Sequence, residues 1–339
     1  MNPIRQRALF IANNSIGDAV LASGLVRNLV ETQPEAFFTI VAGPASAPLF
    51  AETPRLERLI ALRKKPFNRH WLDLWLEIRG RRWTTIVDMR GSFLAYLLAA
   101  EERRVYRPIR RASGSPPIHR VLDAARLARD AAQPPAPFLY TNADHEACAE
   151  KLVGGGPVLA LAPVAKTPAK TWPPERFAEA AAELIDRRGP LVGGRVLLTG
   201  AAADAPACAP IRAAVAPERV IDLLGLDLLT TYACLKRVGL YIGNDSGLMH
   251  LAAAAGAPTL GLFGDSDEKA YRPWGELTAS VRAGSGPDGP GDIADLSVAR
   301  VVEVALGLLE RARAQAGESS GPALSAPPAR TEAAGAGDA

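Results

Sequence analysis

The chain has 339 residues, of which 48% are hydrophobic and 22% charged. These values are typical of two globular domains and exclude a disordered chain, a fibrous repeat and a disulfide-stabilised miniprotein. Three cysteines without CxxC spacing indicate neither a disulfide framework nor a zinc cluster, which favours a reducing compartment. The net charge of +3 conceals an asymmetry, because residues 55–129 carry 18 basic and 7 acidic side chains. This basic stretch predicts an anionic partner, although solvated arginines would give the same count.

Short apolar runs alternate with helical stretches along the chain. The first half has predicted strands at 8–12, 37–41, 59–62 and 85–88, with helices after the first strand and at 70–79. Turn-rich segments at 131–137 and 154–157 precede a second series, with strands at 158–162, 196–199, 220–223, 240–242 and 259–263 and helices at 174–187 and 297–313. We therefore expect two doubly wound α/β domains, 1–140 and 141–313, followed by a disordered tail over 314–339.

The longest uncharged stretch, 246–264, has the length of a membrane span. It contains His250, several glycines and Pro258, so we predict a buried helix, a turn and a buried strand instead. Arg5 and Arg7 near the N-terminus, with Asp18 soon after, argue against a signal peptide. A cytoplasmic location is expected.

The sequence lacks the common cofactor loops. It has no GxxxxGK[ST], no GxGxxG after a strand and no GxSxG. A P-loop ATPase, a dinucleotide-dependent dehydrogenase and a hydrolase with a nucleophile elbow are therefore disfavoured. We expect no cofactor.

The junction after the first strand reads Ser15-Ile16-Gly17-Asp18. Ligands bind beyond the carboxyl ends of strands in open α/β sheets, and Gly17 allows the backbone to approach one closely. Asp18 has two interpretations that spacing does not separate: a cap for free helix amides, or a catalytic carboxylate.

Two further segments of the second half combine small, polar and charged residues. In 241–250 (YIGNDSGLMH) a helix N-terminus suits a phosphate, the Asp245 carboxylate suits sugar hydroxyls, and His250 is either a ligand-facing or a packing residue. The loop 162–173 holds Lys166 and Lys170, two of seven lysines, which are either phosphate contacts or exposed loop lysines.

Five segments together carry a resemblance to a known family: SIGDAVLASGLVRNL (15–29), AKTWPPERFAEAA (169–181), VLLTGAAAD (196–204), IDLLGL (221–226) and YIGNDSGLMHLAAAAGAPTLGLFGDSD (241–267). In this order and spacing they resemble the heptosyltransferases of glycosyltransferase family 9. The resemblance implies the GT-B fold, in which two Rossmann-like parallel-sheet domains face a cleft. The N-terminal domain is then expected to bind the acceptor and the C-terminal domain the nucleotide sugar.

The resemblance implies an inverting, metal-independent transfer of heptose, from ADP-heptose, onto a lipopolysaccharide core or a related lipid-linked saccharide. It assigns Asp18 as the base and Lys170 to the donor phosphates. The remaining donor-binding residues would be Asp222, Asp245, Ser246, Gly247 and His250. For the acceptor we predict Gly17 and, from the basic stretch, Arg63, Arg103 and Arg104. Two alternatives stay open: a GT-B transferase with another nucleotide sugar and glycan, and a non-catalytic nucleotide-sugar-binding paralogue.

The chain departs from the family pattern at two places. Residues 162–165 read APVA where HPGA is frequent, so a glycine beside the phosphate is missing. Asp265-Ser266-Asp267 matches the D-x-D pattern of metal-dependent transferases, but the turn at 244–247 already offers a donor site without metal. We expect no metal and no nucleic-acid partner. The expected partners are a nucleotide sugar, an anionic lipid-linked saccharide and, peripherally, the inner membrane.

Overall fold

The computed structural model describes residues 5–109, 115–187, 189–284 and 291–319. Five strands of the first half form one sheet: β1 (Arg7–Ile11), β2 (Phe37–Ala42), β3 (Leu56–Ala61), β4 (Trp83–Asp88) and β5 (Ala100–Val105). Their order across the sheet is β3-β2-β1-β4-β5, and all neighbouring pairs are parallel. The helices of this half are α1 (Ile16–Ala22), α2 (Gly24–Thr32), α3 (Arg69–Ile78) and α4 (Arg120–Ala125).

The second half repeats this plan with six strands: β6 (Val158–Ala162), β7 (Arg195–Gly200), β8 (Val220–Leu224), β9 (Leu240–Asn244), β10 (Thr259–Phe263) and β11 (Thr278–Arg282). The order is β11-β10-β9-β6-β7-β8, again parallel throughout. The helices are α5 (Ala143–Val153), α6 (Pro174–Ala182), α7 (Ala209–Ala214), α8 (Leu228–Leu235), α9 (Gly247–Ala254), α10 (Glu268–Tyr271) and α11 (Val298–Ser319).

The central strands are buried on both faces because helices cover each sheet from both sides. In β1, all four residues from Ala8 to Ile11 are fully buried, and β6 is buried along its whole length. One apolar cluster contains residues of both halves, for example Phe10 with Met249, so the two domains pack against each other. The predicted α/β class with two doubly wound parallel sheets is confirmed.

Three features differ from the sequence-based expectations or refine them. The edge strands β5 and β11 were not predicted, because β5 (AEERRV) carries four charged residues and no apolar run. The last helix was expected to end at residue 313 but continues to Ser319, since 314–316 (AQA) are good helix formers. The rest of the predicted tail, 320–339, lies outside the described residues. The uncharged stretch 246–264 forms α9 and β10 as predicted, and no helix in the described ranges is long and apolar enough to cross a bilayer.

Candidate active site

Each sheet has one topological switch point, at which successive strands begin to be added on the opposite side of the first strand. In the second sheet the chain moves outward from β6 through β7 to β8, then returns to β9 on the other side of β6. In the first sheet the same reversal lies between β1 and β4. Loops at such points diverge and leave a crevice at the carboxyl ends of the strands, where open α/β sheets bind ligands. Asp18 lies in the first turn of α1, directly after β1, and the segments with Lys170 and Asp245 follow β6 and β9.

A buried asparagine fixes the loop after β6 to the end of β9. Asn244 is fully buried, its Oδ1 accepts a hydrogen bond from the Trp172 amide (2.9 Å), and its Nδ2 donates to the Pro163 carbonyl (2.9 Å). The Trp172 ring is also fully buried, and its Nε1 donates to Leu296 O (2.9 Å). Both ends of the loop are therefore held, which places Lys170 beside the turn that follows β9.

Lys170 and Asp245 form a close ion pair in this crevice. The ammonium Nζ lies 2.6 Å from Asp245 Oδ2, and the aspartate side chain is only 7% exposed. The Asp245 amide donates to Leu262 O (3.0 Å), which anchors the turn to β10. The structure thus brings a cation to the start of α9, where the helix dipole and free amides already favour an anion.

The first turn of α9 has buried hydroxyls with few partners. Ser246 is the N-cap residue, yet its side chain makes no capping bond, and its Oγ is buried. The hydroxyl of Tyr241, packed under Gly243, is also buried and lies beside the Ser246 side chain, which opposes the rise that burial causes in the pKa of this phenol. Among the described residues these two hydroxyls have at most each other as partners, so a ligand or water at this place would complete their hydrogen bonding.

Asp18 faces the crevice from the N-terminal domain. The cap of α1 is Ser15, whose Oγ accepts from the Asp18 amide (3.2 Å) and donates to Asp18 Oδ2 (2.7 Å). In the described chain the carboxylate itself accepts no backbone amide, so of the two interpretations the simple amide cap does not apply. Asp18 Oδ1 is buried without a hydrogen bond, 3.7 Å from a guanidinium nitrogen of Arg120.

Helices α1 and α9 meet at two glycines. A Cβ on Gly17 would lie 3.1 Å from His250 Cδ2, and one on Gly247 would lie 2.8 Å from Ile16 Cγ2. His250 is 4% exposed, and burial lowers its pKa to about 4, although the nearby negative charge of Asp245 acts to raise it. The imidazole is therefore neutral at pH 7, with its buried Nδ1 unpartnered within the described residues.

A second contact between the domains involves His119 at the start of α4. Its Nδ1 accepts from the Val121 amide (3.2 Å), so Nε2 carries the proton and donates to Arg272 O (2.8 Å). The ring lies 4.8 Å from the Trp274 ring between centroids, and burial lowers its pKa. This contact holds Arg120 near Asp18 and over the Tyr271 ring (5.8 Å to the centroid).

The structure brings most predicted site residues into one crevice and leaves others elsewhere. Those gathered between α1 and α9 are Gly17, Asp18, Lys170, Asp245, Ser246, Gly247 and His250. Asp222 lies on the edge strand β8, where it pairs with Arg212 and accepts from the Leu224 amide (3.0 Å).

The predicted acceptor arginines have other surroundings. Arg103 donates to the carbonyls of Ala95 and Leu98, and Arg104 is buried and paired with Glu102 (2.7 Å). Both are held by acceptors of their own domain. Arg63 is exposed and makes no ion pair with the described residues.

Sequence reasoning missed Arg120, His119 and Asn244 as site residues. Arg120 and His119 stand in a segment without any recognisable loop motif, and only the packing of α4 brings them to Asp18. Asn244 stands inside the G-N-D-S-G turn, so its position was a signal, but its role as a double hydrogen-bond anchor follows only from the structure.

The D-x-D segment has a local structural role. Asp267 caps α10, with its carboxylate accepting from the Ala270 amide (3.2 Å). Across the described ranges, no three His, Cys, Asp or Glu side chains are grouped so that they could hold a metal ion.

Two Rossmann-like domains that pack against each other, with loops at the carboxyl ends of both sheets facing a crevice, form the GT-B arrangement. The sequence profile of glycosyltransferase family 9 (heptosyltransferase) matches residues 71–289. The chain belongs to this family.

Named relatives and solved structures agree with this assignment. The chain is 26% identical to lipopolysaccharide heptosyltransferase 2 of Salmonella typhimurium over 298 residues, covering 77% of this chain and 83% of the relative. It is 28% identical to the Escherichia coli K12 protein of the same name over 302 residues, with the same two coverages.

Among solved structures, the fold matches that of E. coli ADP-heptose LPS heptosyltransferase II with a TM-score of 0.69 at 22% identity, covering 91% of this chain and all of that one. It matches E. coli heptosyltransferase WaaC with ADP at 0.68 and 18% identity, covering 89% of this chain and all of that one.

Proposed function

We propose that this glycosyltransferase moves heptose from ADP-heptose onto the core of a lipopolysaccharide or a related lipid-linked saccharide, with inversion and without a metal ion. The observation that carries the proposal is the crevice between α1 and α9. There Asp18 of one domain faces Lys170, Asp245 and the α9 N-terminus of the other. The substrate classes follow the names of the relatives, which are heptosyltransferases of lipopolysaccharide.

The donor would lie with its diphosphate against Lys170 and the first amides of α9, at Ser246 and Gly247. Lys170 exchanges Asp245 for a phosphate oxygen, which frees the Asp245 carboxylate to accept hydrogen bonds from hydroxyls of the donor. Preorganised donors of this kind stabilise the charge that develops on the departing diphosphate. The Ser246 hydroxyl and neutral His250 would complete the donor contacts. Asp222 pairs with Arg212, so a contact between Asp222 and the ribose would require this ion pair to separate.

The acceptor hydroxyl would approach the Asp18 carboxylate, whose side chain is 31% exposed and whose Oδ1 makes no hydrogen bond with the described residues. As the hydroxyl oxygen attacks the anomeric carbon, its proton passes to Asp18 and the bond from that carbon to the diphosphate oxygen breaks. One displacement inverts the configuration. Arg120, 3.7 Å from Oδ1, is placed to orient an anionic acceptor beside the base, and we assign this role to it rather than to Arg103 and Arg104.

Nucleotide release with a panel of donors tests the proposal. Purified chain is incubated with a lipopolysaccharide core that lacks heptose and with ADP-heptose or UDP-, GDP- and CMP-sugars, with and without a chelator. We expect chelator-insensitive ADP release and a product heavier by one heptose. Release from another nucleotide sugar alone would identify the alternative transferase, and ADP binding without release would identify a non-catalytic paralogue. Chelator-sensitive release would refute the metal-free mechanism.

A further inference from the structure

The N-terminal domain leaves an apolar surface uncovered. Of the nine large hydrophobic side chains that are exposed in the described chain, six lie in the loop before α3, on α3, or in the segment after β4: Phe67, Leu72, Leu76, Phe93, Tyr96 and Leu97. Trp71 and Trp75 lie between them and line a groove of about 640 Å³. We call this surface, formed by 63–78 and 92–97, the docking face. Single exposed hydrophobic residues are ordinary, but a contiguous set indicates a binding surface.

The tip of the docking face is an aromatic side chain held out into solvent. Phe67 is 97% exposed, and its backbone is left-handed with φ 51°, as is that of Asn68 with φ 56°. Bulky residues rarely adopt this conformation, and backbone strain of this kind is concentrated at functional segments. No described residue packs over the Phe67 ring, so no packing contact offsets this backbone strain.

The rim of the docking face is basic. Residues 63–82 contain seven basic and two acidic side chains. Both acids are paired, Asp73 with Lys65 (2.7 Å) and Glu77 with Arg58. The remaining charges of the loop, on Arg63, Lys64 and Arg69, form no ion pair with the described residues, although Arg69 lies near enough to Asp73 to help lower the pKa of that carboxyl.

This pattern fits an anionic lipid surface better than a second copy of the chain. Two docking faces placed together would bring like charges of both rims into contact. An apolar helix face with aromatic residues and a basic border is instead the pattern of segments that lie in the membrane interface. Lys and Arg near such a surface each add attraction to anionic headgroups.

The docking face adjoins the acceptor side of the cleft. The loop 63–68 follows the carboxyl end of β3, and 92–97 follows that of β4, at the same sheet edge as Asp18. Arg90 connects the two sites, since its Nε donates to Ala12 O (2.7 Å) at the end of β1 and its guanidinium lies 5.5 Å from the Trp71 ring centroid.

We infer that the docking face inserts into the headgroup region of an anionic membrane, with Phe67 at its tip and Arg63, Lys64 and Arg69 on the lipid phosphates. The role of this membrane contact, which is to present a lipid-linked acceptor to Asp18, rests on the proposed function. The membrane contact itself is independent of the proposed function.

Sedimentation with vesicles tests the inference without any donor or acceptor. The wild-type chain is compared on vesicles of phosphatidylethanolamine with phosphatidylglycerol and on vesicles of phosphatidylcholine. A Phe67→Ser/Leu72→Ser/Phe93→Ser variant changes side chains that are 97%, 55% and 73% exposed, so we expect its fold to be preserved. Val192→Ser, a change of a residue that is 49% exposed on the other domain, is the matched control.

We expect the wild type and Val192→Ser to bind the anionic vesicles and to be released by salt. The triple variant should bind at least about tenfold more weakly, because each buried CH₂ changes the partition about fourfold. Transfer to a lipid-free acceptor saccharide should be unaffected by the triple change. Equal binding by the triple variant, or no anionic-vesicle binding by the wild type, would overturn the inference. A wild-type dimer that the triple variant converts to a monomer in light scattering would also overturn it, in favour of self-association. None of these results depends on whether heptose is transferred.

Discussion

Replacing Lys170 by methionine tests the charge pair at the centre of the proposed donor site. The change keeps the length of the side chain and leaves Asp245, whose side chain is 7% exposed, without its cation. A hydrogen bond between charged groups contributes about 1.5–3 kcal/mol. We expect the free energy of unfolding to fall by about 1.5 kcal/mol, the lower value, because Lys170 is 35% exposed and solvent screens its charge. Adding Asp245→Asn should restore most of this loss, since the uncompensated carboxylate is then removed.

The Lys170→Met variant should also bind the donor nucleotide more weakly. The cation assigned to the diphosphate is gone and a carboxylate remains where phosphate would bind, so we expect ADP to bind about 10- to 100-fold more weakly, or roughly 1.4–2.7 kcal/mol. The double variant should not regain this affinity. Lys166→Met, a change of an exposed lysine in the same loop, is the matched control and should behave like the wild type. Urea denaturation and calorimetric ADP titration measure both effects. Wild-type ADP affinity in Lys170→Met, or a double variant no more stable than the single, would refute the reasoning.

Three further changes test other parts of the site. Asp18→Asn should lower kcat by about 10²–10⁴-fold with the ADP Kd unchanged in titrations, whereas Asp267→Asn, which alters only a helix cap, should keep its turnover. Because burial lowers the pKa of His250 from the ordinary 6.5 to about 4, the unfolded chain binds more protons between these values. Through His250, stability should therefore be complete above pH 6.5 and fall by about 3 kcal/mol towards pH 4, and His250→Gln should remove this share of the loss in urea titrations against pH, leaving that of His119, whose pKa burial also lowers. Gly247→Ala should lower the unfolding free energy by about 1–3 kcal/mol in urea denaturation, since its Cβ would lie 2.8 Å from Ile16 Cγ2, and an unchanged value would show that the helices separate freely.

The central strands were predictable because burial on both faces gives them continuous apolar runs. The segments 8–12 and 158–162 are such runs, and each has a turn signal after it. The edge strand β5 carries four charged residues, which protect an edge from further pairing and remove the apolar pattern. Its existence depends on pairing with β4, the preceding strand, which the composition of β5 does not indicate.

The loops proposed to bind the donor stand out in the sequence for a related reason. Phosphate and sugar recognition requires small residues and charges directly after a strand, and Lys170 and Asp245 stand in such local patterns. The surroundings of Asp18 were not predictable, because Arg120 is more than a hundred residues away in the chain and reaches the carboxylate only through the packing of α4. The charge count of 55–129 likewise did not separate Arg104, which is buried against Glu102, from Arg63, which is free to meet a partner.

The two glycines at the contact between α1 and α9 connect the stability of the domain interface to the chemistry. Gly17 directly precedes the proposed base, and Gly247 is the first residue of the proposed donor helix. The close approach of the helices, which leaves no room for a Cβ at Gly247, therefore also sets the separation of Asp18 from the donor site. A side chain at either position would move the base away from the anomeric carbon, and a displacement of about 1 Å can lower a rate by 10²-fold. We therefore expect these two glycines to fix the distance between the proposed base and the proposed donor site.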